Sequence, residues 1–274
     1  MGESFLQSLL SGLPLGPLRY FASTGSTNEG AASWAEAGAP HLALVVADEQ
    51  TAGRGRLGRR WYTPAGAALA FSLVLRPQEI LHFAQNDSAG EALNLAIPRL
   101  AGLGALAVCT ALEEGYGLAP RIKWPNDVLL GGRKAGGVLP ELSWQGENPR
   151  AAILGIGINI APHAVPPPAD LLFPATCVEI ELGQPVDSWI LLREVLSALL
   201  GWLPRLPSQD FQQAWESRLA YRDERVQVIT GGNVPEQGIL LGLDPAGGLR
   251  LQLSSGEERI FQAGDLRLRP GKRI

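Results

Sequence analysis

"TAGRGRLGRRW" (residues 51–61) sets Arg54, Arg56, Arg59 and Arg60 among Gly53, Gly55 and Gly58 and closes on Trp61. Glycines lower the cost of positive φ and let backbone N–H groups approach a ligand closely. Arginines offer forked hydrogen bonds to carboxylate or phosphate. Like charges repel and glycine has entropy to lose, so the segment is expected to be floppy when empty and ordered by an anion that bridges its guanidiniums. It lacks the Gly-Lys-Ser/Thr ending of a P-loop. A solvated surface loop and an RNA-contacting loop are the plainer alternatives.

The rest of the chain narrows these. It has 274 residues, net charge −4 and 46% hydrophobic residues, enough for one large core and a second small one. A pI near 5.5 argues against a general nucleic-acid binder and suits a local basic loop to a small anion. Cys109 and Cys177 have neither metal spacing nor the density of a disulfide scaffold, and His41, His82 and His163 are scattered. The N-terminus has no basic n-region, and "LAGLGALAVCTAL" (100–112) is short of a membrane span. The default expectation is a soluble cytoplasmic protein with no membrane partner. Only three of the 23 basic residues are lysines, and Lys123 and Lys134 lie eleven positions apart. That hints that compact ammonium charges are wanted there, as for a phosphate oxygen, with chance as the alternative.

Patterning predicts a helix over 29–38 ending at Gly38, buried strands over 41–50 and 67–77, and one or two helices within 90–116. A short strand over 121–124 is followed by a hairpin turning at Gly131-Gly132, then a strand over 151–162 and helices near 187–201 and 208–220. After Tyr221 short alternating strands with Gly-containing turns, among them "DPAGG" (244–248), predict a small all-β barrel. Strands and helices mix without strict alternation before it, so the fold class is α+β rather than doubly wound. The division falls into residues 1–220 and 221–274.

Three further motifs carry polar chemistry. Ser26-Thr27-Asn28 in "GSTNEG" reads as a helix N-cap or as a polar cradle for a ligand head group. Asn126-Asp127 follows a proline-stopped strand, and Lys134 returns from the far side of the hairpin. Together they could serve a nucleotide, the alternative being a turn Asp paired with a surface Lys. "GIGIN" (155–159) is a glycine-punctuated strand ending in Asn159, marking close approach of a ligand or tight packing between layers.

In this order, "GSTNE", "EQTAGRGRLGRRW", "KWPNDV", "GRKAGGVLPEL", "GIGINI" and a β-rich tail ending "AGDLRLRP" resemble the biotin protein ligases over residues 20 to about 270. The resemblance implies a central mixed sheet flanked by helices, like class II aminoacyl-tRNA synthetases, plus a C-terminal SH3-like barrel. It implies that ATP and biotin, with Mg²⁺, form biotinyl-5′-AMP, whose acyl group passes to a lysine of a biotin carboxyl carrier protein. Matched residue by residue, the biotin set is Ser26, Thr27, Asn28, Gln50, Gly53, Arg54, Gly55, Arg56, Lys134 and Gly137. The nucleotide set is Arg56, Arg59, Trp61, Asn126, Asp127, Lys134 and Asn159. Arg56, Lys134 and Asp127 are the catalytic expectations, Asp127 as a base or orienter; no metal ligand is assigned. Gly136-Gly137 after "KA" and Pro140, expected to break its strand, depart from the family pattern. About twenty residues before the core leave no room for a DNA-binding domain, so no DNA partner is expected, and the resemblance allows a homodimer through the sheet edge. The rivals are a lipoate or octanoate ligase on the same fold and a non-catalytic biotin or nucleotide binder.

Overall fold

The computed structural model describes residues 2–81, 89–145, 148–167, 169, 171–229, 235–262 and 267–270. Two sheets organise it. The larger has the order β1 (Leu18–Phe21), β2 (Leu44–Ala47), β3 (Ala68–Leu75), β7 (Asn148–Asn159), β6 (Arg133–Gln145), β5 (Asp127–Leu130), β4 (Arg121–Lys123). Only β1 and β2 run parallel; every other neighbouring pair is antiparallel, so the sheet is mixed.

Alternation along the strands sorts the two faces. Leu44 and Val46, Leu69, Phe71, Leu73 and Leu75, and Leu154, Ile156 and Ile158 point into the main core. That core is covered by α4 (Ala89–Tyr116), α6 (Ser188–Trp202) and α7 (Gln209–Ser217). Val45, Val74, Ala151 and Ile153 face the other way, against Ala31 and Ala35 of α2 (Thr27–Glu36). On that second face β3 also carries Ser72, and β7 carries Gly155, Gly157 and Asn159. "GIGIN" is therefore a two-faced strand: its isoleucines build the core and its glycines clear the opposite side.

Several boundaries differ from the sequence reading. Thr27 rather than residue 29 starts α2, because Gln50 Oε1 accepts from Thr27 N–H at 2.8 Å and caps the helix from outside. Residues 89–116 form one helix that runs through Pro98. Within it Ala96–Tyr116 is long and apolar enough to cross a membrane, but 78% of that stretch is buried inside the fold, which makes it a core helix. α7 stops at Ser217 rather than 220. Pro140 does not break its strand: β6 continues to Gln145. Val138 N–H and C=O face Asn126, and Pro140, two positions on, turns the same way past the end of β5, where no ladder donor is required. The sequence reading missed α1 (Glu3–Leu9), β1, α3 (Pro77–Leu81) and α5 (Val178–Leu182).

The second sheet is antiparallel, in the order β11 (Glu258–Phe261), β10 (Leu249–Leu253), β9 (Glu236–Leu243), β8 (Arg225–Ile229), β12 (Arg267–Pro270). Among the described residues it does not close into a barrel. "DPAGG" makes the expected turn between β9 and β10: Asp244 Oδ1 accepts from Gly248 N–H, and Gly247 takes φ +85°. This turn plugs into the first sheet's body. Trp124 Nε1 donates to Gly247 O at 2.8 Å, and the buried Arg99 guanidinium donates to Pro245 O and, at 2.7 Å, to Leu206 O. The buried apolar cluster is continuous across the junction, including Val226, Leu240 and Leu251.

Candidate functional site

On the α2 side of the large sheet lies a cavity of about 320 Å³. Its wall draws on the start of α2, the Gly/Arg segment, β5–β7 and residues 164–175. Every residue of the expected biotin and nucleotide sets lines it except Gly53. Gly53 is buried behind it: a Cβ there would lie 2.4 Å from Trp61 O and 3.1 Å from Gln50 Nε2. Its role is to let the two arms of the segment meet.

That segment is a hairpin rather than a formless loop. Arg54 and Arg60 pair across it, Trp61 N–H donates to Gly53 O at 2.8 Å, and Gly55 N–H donates to Arg59 O at 2.6 Å. A single 3-10 turn, Arg56–Gly58, forms its tip, with exposed Leu57 at φ +59°. Charge repulsion alone predicts a floppier segment. The backbone ladder, and carbonyls that take up guanidinium protons, offset it: Arg59 Nε donates to Arg56 O and Arg60 to Thr51 O.

One end of the cavity is a hydrogen-bond relay built on uncharged side chains, with the Glu141 carboxylate behind it. Gln50 Oε1 accepts from Thr27 N and from Thr27 Oγ1, and Gln50 Nε2 donates to Thr63 Oγ1 at 3.0 Å. Ser72 Oγ lies 2.8 Å from Thr27 Oγ1 and 2.7 Å from Asn28 Oδ1, and its single proton serves one or the other. Asn28 Nδ2 donates to Leu139 O at 3.1 Å and Glu141 Oε2 at 2.6 Å. Ser26 occupies the N-cap position, but its side chain makes no capping bond. Gly155 belongs to this end, since a Cβ on it would sit 2.0 Å from Asn28 Oδ1.

The other end is ionic. Lys123 and Asp127 face each other across the β4–β5 hairpin, with Lys123 Nζ 3.0 Å from Asp127 Oδ2. Lys134 Nζ comes from β6 to within 2.5 Å of Asp127 Oδ1. Burial pushes the Asp127 carboxyl pKa up, but the two ammonium groups outweigh it and hold it at about 2. Asp127 is thus a firmly ionised carboxylate, suited to orienting lysines and poorly suited to accepting a proton. Arg56 donates to Asn126 Oδ1 at 3.1 Å, and Asn126 Nδ2 is anchored on Val138 O. Asn159, buried on β7, donates to Thr176 O.

Trp61 roofs the middle. Lys134 Nζ lies 5.3 Å from its ring centroid, and a Cβ on Gly157 would fall 2.4 Å from its Nε1. This indole N–H is buried with no hydrogen-bond partner among the described residues. An unsatisfied buried donor costs about 1–3 kcal/mol.

Five participants escaped the sequence reading as site residues: Lys123, Thr63, Ser72, Glu141 and Phe173. Lys123 had a signal, being one of three lysines and opposite Asp127 in the predicted hairpin. Phe173, 4.3 Å below the Lys123 ammonium, had none. Among the described residues no three His, Cys, Asp or Glu side chains converge as a metal cage.

Comparison with known proteins identifies the family. Residues 20–159 match the biotin/lipoate A/B protein ligase family, and residues 223–269 match the biotin protein ligase C-terminal domain. The biotin–[acetyl-CoA-carboxylase] ligase of Paracoccus denitrificans is 39% identical over 87% of this chain and 95% of its own length. The bifunctional ligase/repressor BirA of Bacillus subtilis is 32% identical over 90% of this chain and 72% of its own. The solved biotin protein ligase of Aquifex aeolicus in complex with biotin and ATP superposes with a TM-score of 0.74 and 31% identity, covering 93% of this chain and 99% of that one. With both parts of the family pattern matched and the polar and ionic ends meeting in one cavity, the chain belongs to the biotin/lipoate A/B protein ligase family, among the biotin protein ligases.

Proposed function

We propose that this chain activates biotin with ATP as biotinyl-5′-AMP and passes the biotinyl group to a lysine of a biotin carboxyl carrier protein. The observation that carries the reading is the division of one cavity into a polar relay and a cluster of two lysines and Arg56 around Asp127 and Asn126. Thr27, Asn28 and Gln50 offer both donors and acceptors, which suits a polar but uncharged head group such as the biotin ureido ring. The cationic end suits a carboxylate meeting a polyphosphate.

In the first half-reaction a biotin carboxylate oxygen bonds to the α-phosphorus, the bond to the bridging oxygen breaks, and pyrophosphate leaves. Bringing these anions together is repulsive. Arg56 and Lys134 offset the charge, and Asp127 fixes where Lys134 points. Mg²⁺ is expected to arrive on the nucleotide phosphates: Asp127 already holds two lysines, and Mg²⁺ commonly keeps waters and substrate oxygens as ligands. Trp61 Nε1, buried against Gly157, would reach an acceptor on the adenylate only if the hairpin shifts as it closes.

In the second half-reaction the carrier's neutral amine attacks the acyl carbon, the bond to the phosphate oxygen breaks so that AMP leaves, and the amine's proton passes to the departing phosphate or to water. A hairpin lowered over the anhydride keeps water from taking that place. Residues 1–220 carry this chemistry in the proposal, residues 221–274 brace it through the 244–248 turn, and the enzyme works in the cytoplasm, with a homodimer through the large sheet's edge as a further expectation.

Pyrophosphate release from ATP and Mg²⁺ with biotin or with lipoate, followed by transfer to a carrier domain, tests the reading. Biotin-dependent release and carrier labelling are expected. Release with lipoate alone transfers the assignment to the rival acid, and no release with either leaves a binding role.

A further inference from the structure

Glu141, on β6, is outside every set read from the sequence and does not line the cavity, yet two parts of the site meet on it. Its Oε2 accepts from Asn28 Nδ2 at 2.6 Å and from the Arg54 guanidinium at 2.9 Å. A single carboxylate oxygen thus joins α2's polar relay to the Gly/Arg hairpin. Arg54 has one further acidic neighbour, Glu29 Oε1, at 3.5 Å.

The hairpin's backbone makes this contact consequential. Arg54 is laddered to Arg60, and Gly55 to Arg59, so the strand that carries Arg54 cannot lift without the tip that carries Arg56. Among the described residues, side chains hold the hairpin down beside both ends of the cavity, Arg54 on Glu141 beside the polar relay and Arg56 on Asn126 beside the ionic cluster. The Arg54 and Glu141 side chains are 40% and 37% exposed, so water competes for both partners and the contact can be made and broken reversibly. A lid that admits substrates and then holds an intermediate needs a contact of that strength.

We infer that Glu141 is a positioning residue: it latches the hairpin over the cavity through Arg54 and sets the Asn28 amide with the same oxygen. This inference rests on the function proposed above. An exposed ion pair shifts an open–closed balance by about two- to fivefold. Glu141→Gln keeps an acceptor for Asn28 while removing the charge that attracts Arg54, so it separates the two roles. Glu141→Ala removes both.

The test uses the full chain and the variants Glu141→Gln, Glu141→Ala, Arg54→Ala and Arg54→Ala/Glu141→Gln. Release of bound biotinyl-5′-AMP is timed, the kcat and KM for biotin are separated in pyrophosphate release, and Tm is recorded. Trypsin cleavage after Arg56 and Arg59 is followed without ligand. The latch predicts about two- to fivefold faster release in Glu141→Gln and in Arg54→Ala. It predicts no further gain in the double variant, a KM effect in Glu141→Gln larger than its kcat effect, a larger KM effect again in Glu141→Ala, and faster cleavage of the hairpin with Tm held. Unchanged release in Glu141→Gln, effects that multiply in the double variant, or losses that merely follow Tm overturn it. If the wild-type chain forms no adenylate, the functional reading fails; cleavage without ligand then decides the latch, and an unchanged rate in Glu141→Gln overturns it.

Discussion

Asp127→Asn isolates charge from shape at the centre of the site. The wild-type carboxylate lies 2.5 Å from Lys134 Nζ and 3.0 Å from Lys123 Nζ, with side-chain exposures of 12%, 24% and 6% for Asp127, Lys134 and Lys123. The amide keeps the volume but leaves two ammonium groups facing each other without a counter-charge between them. Breaking a buried ion pair by removing one partner costs about 3–5 kcal/mol. Lys134 is partly solvated, so the lower figure, about 3 kcal/mol, applies. At about 2–4 °C per kcal/mol for a chain of this size, Tm should fall by about 6–12 °C. Lys134, released from its anchor, moves off the phosphate position, and a displacement of about 1 Å costs about a hundredfold in rate.

Calorimetry and biotin-dependent pyrophosphate release measure these two effects. The pH dependence adds a third. Burial alone would raise the Asp127 pKa, but the lysines lower it to about 2 in the fold, below its unfolded value. The stability that the charge contributes is therefore fully present above about pH 4 and lost as pH falls towards 2. The Tm gap between wild type and Asp127→Asn should be constant from about pH 8 to about pH 5 and narrow only below that range. A variant with unchanged Tm and normal adenylation that is slow only in transfer to the carrier would refute the orienting role and restore Asp127 as a base.

The remaining predictions each address one contact. Gly155→Ala, whose Cβ would stand 2.0 Å from Asn28 Oδ1, should raise the KM for biotin with a smaller effect on the KM for ATP; equal effects on both would show that Gly155 serves packing alone. Trp124→Phe loses the 2.8 Å bond to Gly247 O and should cost about 1–3 kcal/mol through the orphaned buried carbonyl, read as a lower Tm; an unchanged Tm would remove this strut between the two sheets. Burial lowers the His41 pKa, against the raising influence of Glu79, so stability should decline as pH falls below about 6.5. His41→Gln, which can still accept from Arg76 N–H, should flatten that slope, and a parallel pH profile would assign the slope elsewhere.

How far the sequence could be read depended on the range of the forces involved. The hairpin at Gly131-Gly132 was legible because its glycines adopt φ +53° and +75°, a local demand that a local pattern records. The buried strands declared themselves by apolar runs, and α6 is capped by Asp187, whose carboxylate accepts from Trp189 N–H and Ile190 N–H, as a local helix start should be. β1 was not legible: three half-exposed residues and the exposed Arg19 on a parallel edge strand leave no clear alternation. Nor was the start of α2, which is capped by Gln50 from 23 positions away.

The site followed the same rule. Its motif residues converge as expected, apart from Gly53, which lies behind the wall. Ser72 and Glu141, 44 and 113 positions from Asn28, enter only through the register of β3 and β6 beside α2. Lys123 was within reach, since a tight β4–β5 turn sets it opposite Asp127. Strands in the tail were foreseeable from alternation; an open rather than closed sheet among the described residues was not, because closure depends on long-range pairing.

The proposed function requires that guanidinium groups on the hairpin hold an acyl adenylate until a carrier amine arrives. Its most direct test is the lifetime of bound biotinyl-5′-AMP in the wild type and in Arg56→Ala, with Tm measured on both. Loss of one or two charge-assisted hydrogen bonds, at about 1.5–3 kcal/mol each, predicts release at least about tenfold faster with Tm unchanged. Equal lifetimes in the two proteins would contradict it.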